Sequence, residues 1–229
     1  MRYQDKNVSI GEVVVELPKA TEVFKEFGID FCCGGHRNFA NIIEEQKIDR
    51  TALFAKLDKL YEERKAGYEE KGNRFEQMSS EALTTYIEDT HHVYMRKVLP
   101  EISELLGTLL RVHGKKHTEL FDLYRVYGVL KTDLEQHLLK EETMLFPDFE
   151  EADENRQEII TLTQTIIEEH EAAGELLEKM REITNNYQAP GDACNTYVKT
   201  YRLLEEMEDD LHQHIHLENN ILLKEYAKH

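Results

Sequence analysis

One short pattern occurs twice in this chain. His137-Leu138-Leu139-Lys140-Glu141 and His214-Ile215-His216-Leu217-Glu218 each place a histidine four residues before a glutamate. On a helix that spacing puts both side chains on one face. Each pattern also has a histidine upstream at nearly the same distance. His92 precedes His137 by 45 residues, and His170 precedes His214 by 44. Four histidines and two carboxylates arranged as a repeat point to a two-metal site inside a four-helix bundle.

The rest of the chain suits such a bundle. Its 229 residues are 40% hydrophobic, with four prolines and eleven glycines. Together with long stretches of helical periodicity, this predicts an all-α chain with a substantial core. Four long helical patterns run over about 80–111, 118–149, 155–186 and 193–227. Short connections separate them, so neighbours are antiparallel and the topology is up-down-up-down. Ahead of the bundle, residues 1–65 read as a small helical domain. Ser9 caps a helix through Val15, Pro18 suits the first turn of the next, and Gly28 ends that one. Ala40, Ile42 and Ile43 open a third helix, and Asp49 caps a fourth. The polar residues 66–79, with two glycines, read as a linker. The bundle domain is then 80–229.

Antiparallel helices bring residues level only if they lie equally far from the shared turn. His92 lies 19 residues before Arg111, and His137 lies 19 after Thr118. The other pairings, His137 with His170 and His170 with His214, match to within about one turn at ~1.5 Å per residue. The four histidines therefore sit at similar height. Imidazole suits iron, zinc, copper and nickel, while carboxylates are hard donors that bridge two ions. A set of His92, His137, His170, His214, Glu141 and Glu218 gives each of two ions two histidines, with Glu141 and Glu218 as bridges. Open positions remain for oxygen, nitric oxide or an oxo bridge. With no cysteine in the set, two non-haem irons are favoured over zinc. The residues leave mixed iron–manganese and di-manganese centres open.

The other histidines and the cysteines compete with this set. His91 lies ~100° around the helix from His92, and His212 and His216 flank His214 at i±2, so all three are expected to point elsewhere. His113 and His117 lie about four to five turns from the ligand layer and read as loop-capping or surface residues. Cys32 and Cys33 are adjacent, which disfavours a disulfide because of its strained ring. Gly34 and Gly35 beside them argue for exposure, and nearby amides for a lowered thiol pKa. That reading makes the pair a soft thiolate site that relays iron or electrons, and the alternative is two buried small residues beside Phe31. Cys194, alone near the start of the last helix, reads as structural.

The formal net charge of −18 argues against a phosphate-binding nucleic-acid partner and against docking on anionic membranes. It favours solubility and, weakly, cation attraction. No run of 18 apolar residues occurs and no signal peptide is legible, so a cytoplasmic location is expected.

The segments PKATEVFKEFGIDFCCGG, THHVYMRKVLP, HGKKHTEL, HLLKEE, EEHEAAG and HIHLENNILL together resemble one known family, the RIC (repair of iron centres) proteins. These are di-iron iron–sulfur cluster repair proteins with a hemerythrin-like domain, and the resemblance spans almost the whole chain. It implies the same six metal ligands at His92, His137, Glu141, His170, His214 and Glu218. It also implies repair of clusters damaged by oxidative or nitrosative stress, by iron donation, with damaged iron–sulfur proteins as partners and a role for the cysteine pair. Two rivals remain at this point: a di-iron nitric oxide reductase, and an oxygen or redox sensor of hemerythrin type. A homodimer formed by exchange of the small domain is also compatible with such a chain.

Overall fold

A computed structural model describes residues 3, 5–63, 75–149, 152 and 154–227. Among these the chain is helical, with a single isolated bridge between Ser9 and Asn38 in place of any strand. It divides into two compact units, Met1–Leu83 together with Ile215–Ala227, and Thr84–His214 together with Lys228–His229. Of the expected linker at 66–79, residues up to 74 lie outside the described ones, and Phe75–Gln77 form one 3-10 turn.

The first unit contains α1 (Ile10–Glu16), α2 (Ala20–Glu26), α3 (Phe39–Glu45) and α4 (Arg50–Glu63). Three of these begin at polar caps. Ser9 Oγ accepts the Glu12 N–H at 3.2 Å while Glu12 Oε2 accepts the Ser9 N–H at 3.1 Å, a reciprocal box. Asn38 accepts from Asn41 N–H, and Asp49 from the Thr51 and Ala52 N–H groups. α1 is rich in β-branched residues, which favour strands in isolation. Burial of Ile10, Val13, Val14 and Val15 holds it helical. α2 ends at Gly28, whose φ of +68° only glycine adopts without strain. The core is an aromatic stack: Phe24 on Phe39 at 5.3 Å, Phe39 on Phe54 at 6.2 Å, and Tyr3 edge-on to Phe54 at 6.0 Å.

The second unit is the bundle. Its chain runs through α5 (Ser80–Ile87), α6 (Val93–His113), α7 (Glu119–Lys140), the short α8 (Phe146–Asp148), α9 (Arg156–Thr184) and α10 (Asn195–Leu217). Cross-helix bonds fix the order of packing. α6 meets α7 where the Tyr127 hydroxyl donates to the Leu99 carbonyl at 2.7 Å. α7 meets α9 where Lys140 pairs with Glu169, and α9 meets α10 where Arg181 pairs with Glu208. α10 closes on α6 where Lys199 Nζ donates to Glu101 at 2.7 Å. In each pair, residue numbers rise on one helix as they fall on the other, so the four form an antiparallel ring. α10 serves both units, since its last turn belongs to the first.

Three stretches depart from regular α geometry. Glu88–His92, Glu141–Leu145 and Glu218–Leu222 are π turns continuous with α6, α7 and α10 respectively. Each contains one of the candidate ligands: His92, Glu141 and Glu218. Turns of this kind concentrate at functional sites. α9, which carries His170, is regular throughout its 29 residues.

Candidate metal centre

The bundle ring brings the histidines together as their level-matching requires. His92 Nε2 lies 3.3 Å from His214 Nε2, and His137 Nε2 lies 3.2 Å from His170 Nε2. Glu141 stands between the pairs. Its Oε2 is 3.4 Å from His92 Nε2 and 3.8 Å from His214 Nε2, and its Oε1 is 3.2 Å from His137 Nε2. His92, Glu141 and His214 thus offer ligand atoms within 4.8 Å of one another, and so do His137, Glu141 and His170. All five side chains are buried, Glu141 completely. Glu218 lies one turn beyond His214 on the continuing helix and is likewise fully buried.

The outer nitrogens show what these groups are set up to hold. His92 Nδ1 is 2.7 Å from Glu142 Oε1, and His137 Nδ1 is 2.9 Å from Glu169 Oε2. An ionised carboxylate only accepts, so both Nδ1 atoms carry the proton and the Nε2 lone pairs point inward. There they face a carboxylate and another ring nitrogen. Such converging acceptors in a buried space are stable with a cation between them, and carboxylate-to-histidine contacts are the usual outer support of metal-bound imidazole. The residues present therefore fit a pair of metal ions.

Sequence reasoning missed both supporting glutamates, because each adjoins a ligand in sequence and reads as solvent-facing. The signal was the doublets Glu141-Glu142 and Glu168-Glu169. Each is anchored by a cation. Arg96 makes two bonds to Glu142, of 2.6 and 2.7 Å, and Lys140 pairs with Glu169. Burial alone would raise the Glu142 carboxyl, but bonds from Arg96 and His92 hold it below the usual carboxylate range. The bond from His137, helped by Lys140, outweighs burial and sets Glu169 at about 2.

His91 lies outside both ligand sets but packs close to them. It is buried, its ring lies parallel to His214 at 5.7 Å, and its Nδ1 is 3.1 Å from Asp210 Oδ1, out of line for a hydrogen bond. The π turn at Glu88–His92 narrows the angle between successive residues below the ~100° of a regular helix, which keeps His91 near the face that carries His92. His91 packs on a ligand without joining the ligand sets. His212 lies 3.9 Å from Glu208, outside both sets.

Within the first unit, the cysteine loop packs on the last turn of α10 and the π turn that follows it. The side-chain amide of Asn219 donates to the Cys32 carbonyl and that of Asn220 to the Phe31 carbonyl, both at 3.4 Å. Asn220 also bonds His216 Nδ1 at 3.1 Å, and the His216 ring is edge-on to Phe31. His216 is buried here, and burial lowers it to about 4. These two asparagines directly follow Glu218. The glycines now have a cause, since a Cβ on Gly35 would come within 2.4 Å of Asn220 Oδ1.

The cysteine pair itself differs from expectation. None of the three cysteines is in a disulfide. Cys32 is buried and only Cys33 is partly exposed, because the glycines serve close packing rather than exposure. Asp30 caps the loop, accepting the N–H groups of Cys32, Cys33 and Gly34. The bond to Cys33 at 3.7 Å comes first, then burial and the Asp30 charge, and together they push the Cys32 thiol well above its ordinary value. The expected lowering is thus reversed. Asp30, Cys32 and Cys33 nonetheless converge as a third set of potential metal ligands.

The fold and its buried cluster define a histidine–carboxylate metal protein of helical-bundle type. Residues 83–226 match the hemerythrin HHE cation binding domain, and residues 6–61 match a domain of unknown function, DUF542. The chain is 35% identical over 222 residues to iron-sulfur cluster repair protein YtfE of Musicola paradisiaca, covering 97% of this chain and 96% of that one. It is 31% identical over 221 residues to iron-sulfur cluster repair protein ScdA of Staphylococcus epidermidis, covering 95% and 97%. The chain belongs to the family of these iron–sulfur cluster repair proteins.

Proposed function

We propose that this protein repairs iron–sulfur clusters damaged by oxidative or nitrosative stress by donating iron from a two-iron site. His92 and His214 would hold one ion and His137 and His170 the other, with Glu141 and Glu218 as the carboxylate ligands between them. The observation that carries this reading is the pair of buried ligand triads sharing Glu141. When bound, two irons would supply a store that can change oxidation state and release metal. This chain's part is to hold the imidazole protons outward on Glu142 and Glu169, to exclude bulk water, and to offer a path out.

In this reading the cysteine loop is the acceptor of released iron. The backbone of Phe31 and Cys32 is tied to the two residues after Glu218, so a shift of the Glu218 turn is felt at the thiols. Asp30, Cys32 and Cys33 then receive iron or engage the damaged client. Three cysteines outside any disulfide suit a reducing cytoplasm, and no described helix is long and apolar enough to cross a membrane.

The test is to purify the protein anaerobically, count iron per chain, and follow a nitrosylated cluster enzyme as that iron leaves. The expected result is recovery of the client in step with iron loss, with the bound iron missing from His137→Ala. Turnover of nitric oxide with an electron donor and no net iron loss would replace donation by nitric oxide reduction. Equal repair by a Cys32→Ala/Cys33→Ala variant would remove the thiol relay and leave the iron store standing.

A further inference from the structure

A second group of reactive side chains lies at the opposite end of the bundle. Two turns supply it, the one after α6 and the one before α10. His113 Nε2 lies 3.2 Å from Cys194 Sγ. His117 is held by Glu119 at 3.0 Å on Nδ1 and by Asp192 at 3.2 Å on Nε2, and Lys116 bonds Asp192 at 2.5 Å. Tyr197 packs edge-on to both histidine rings, at 5.4 and 5.6 Å. Along α6, His113 is 21 residues from His92, roughly 30 Å at the helical rise. The group is therefore independent of the candidate metal centre.

Two readings compete for residues of these types. Two histidines, an aspartate and a cysteine make a plausible zinc set by composition. The geometry disfavours it. The His113 and His117 rings are 6.1 Å apart, against 4.8 and 4.9 Å for the pairs in the metal centre, and the four form no converging ligand set. Both nitrogens of His117 are already committed to carboxylates. What remains is a thiol–imidazole pair, with the thiol in the N-cap position of a 23-residue helix and exposed to solvent. The His113 bond leads in stabilising the thiolate, followed by backbone N–H groups of Tyr197 and Thr196, and the thiol falls to about 7. A thiolate is the nucleophilic form of cysteine.

We propose that Cys194, paired with His113, is a modification site where the protein is oxidised by hydrogen peroxide and other small uncharged peroxides. The sulfur attacks one peroxide oxygen, so an S–O bond forms and the O–O bond breaks. The thiolate loses two electrons and becomes a sulfenic acid. The peroxide is reduced, and its departing hydroxide takes a proton from solvent and leaves as water. The net charge of −18 and the adjacent Asp192 and Glu119 disfavour anionic oxidants such as charged disulfides. Neutral peroxide meets no such barrier. The site goes beyond the repair reading and does not depend on it.

The experiment uses the full-length protein, with trapping of sulfenic acid by dimedone and peptide mass spectrometry across a pH series. At pH 7, lowering a thiol from its ordinary value to about 7 raises the thiolate fraction roughly fifteenfold, and the lower basicity returns about fivefold of that. Cys194 is therefore expected to label about threefold faster in the wild type than in His113→Gln. Its alkylation by iodoacetamide should reach half-maximum near pH 7, and the variant's at least one unit higher. Cys194→Ser removes the label and leaves iron content unchanged. An alkylation midpoint at or above pH 8.5, or no difference in His113→Gln, would overturn the pairing. Protection of Cys194 by stoichiometric zinc would overturn it in favour of a metal site.

Discussion

At the residue scale, the centre rests on protons as much as on ligand identity. Glu142 and Glu169 keep the protons of His92 and His137 on the outer nitrogens, which leaves the inner lone pairs for metal. Removing such support typically lowers metal affinity 10–100-fold. Glu142→Ala and Glu169→Ala should each lose iron to a chelator at about 10–100-fold lower chelator concentration, with the helical circular dichroism unchanged. Equal iron retention by both would show that the ligands hold their orientation alone. The convergence of the four histidines and Glu141 was legible from spacing because helical geometry converts i, i+4 and equal distance from a turn into proximity. The supporting glutamates were not legible, because a neighbour in sequence gives no hint that a side chain curls back onto the partner helix. Cys32 misled for a related reason: Gly34 and Gly35 signal close approach, and sequence does not say to what.

At the element scale, the helices follow their caps and periodicity closely. The expected 155–186 is observed as Arg156–Thr184, and Ser9, Asn38 and Asp49 cap through their side chains. The turns are where side chains add ties that no pattern announces. Asp192 joins the turn before α10 to Lys116 and His117 of the turn after α6. The Lys116 bond leads, His117 adds to it, and the carboxyl sits at about 2. A carboxyl depressed in the folded state stabilises above its unfolded value, near 3.8, and loses that effect as pH falls through about 2. The urea midpoint of wild type should exceed that of Asp192→Asn at pH 6, and the gap should close toward pH 2. A gap independent of pH would assign the difference to packing.

At the scale of the whole molecule, one helix has duties in both compact units. α10 provides His214 to the bundle, and its continuation provides Asn219 and Asn220 to the cysteine loop. The all-helical class and the order of its helices were readable from periodicity. This sharing was not, since Asn219-Asn220 looks like an ordinary helix end. Gly35→Ala should expose it. The added carbon collides with an Asn220 side chain already held by Phe31 and His216, and overpacking of this kind costs about 1–3 kcal/mol. Adding Asn220→Ala should recover part of the loss in a double-mutant cycle by urea unfolding. Strict additivity of the two changes would mean that the glycine matters for backbone freedom alone.

The π turn at Glu141–Leu145 puts the chain out of step with itself. In an unbroken helix, Met144 and Asp148 would follow Glu141 inward at i+3 and i+7. Instead Met144 is 51% exposed and Phe146, at i+5, is buried. One extra residue has been absorbed, and everything downstream is phased to it. Deleting a single residue from this stretch would restore a regular helix and leave Phe146 inward at i+4, whereas closing the wide turn at full length would rotate it toward water. The same holds wherever a helix carries its ligand on a wide turn. Loss of one residue there is therefore a smaller event than the same loss in α9, the regular helix that is the frame against which the other three are offset.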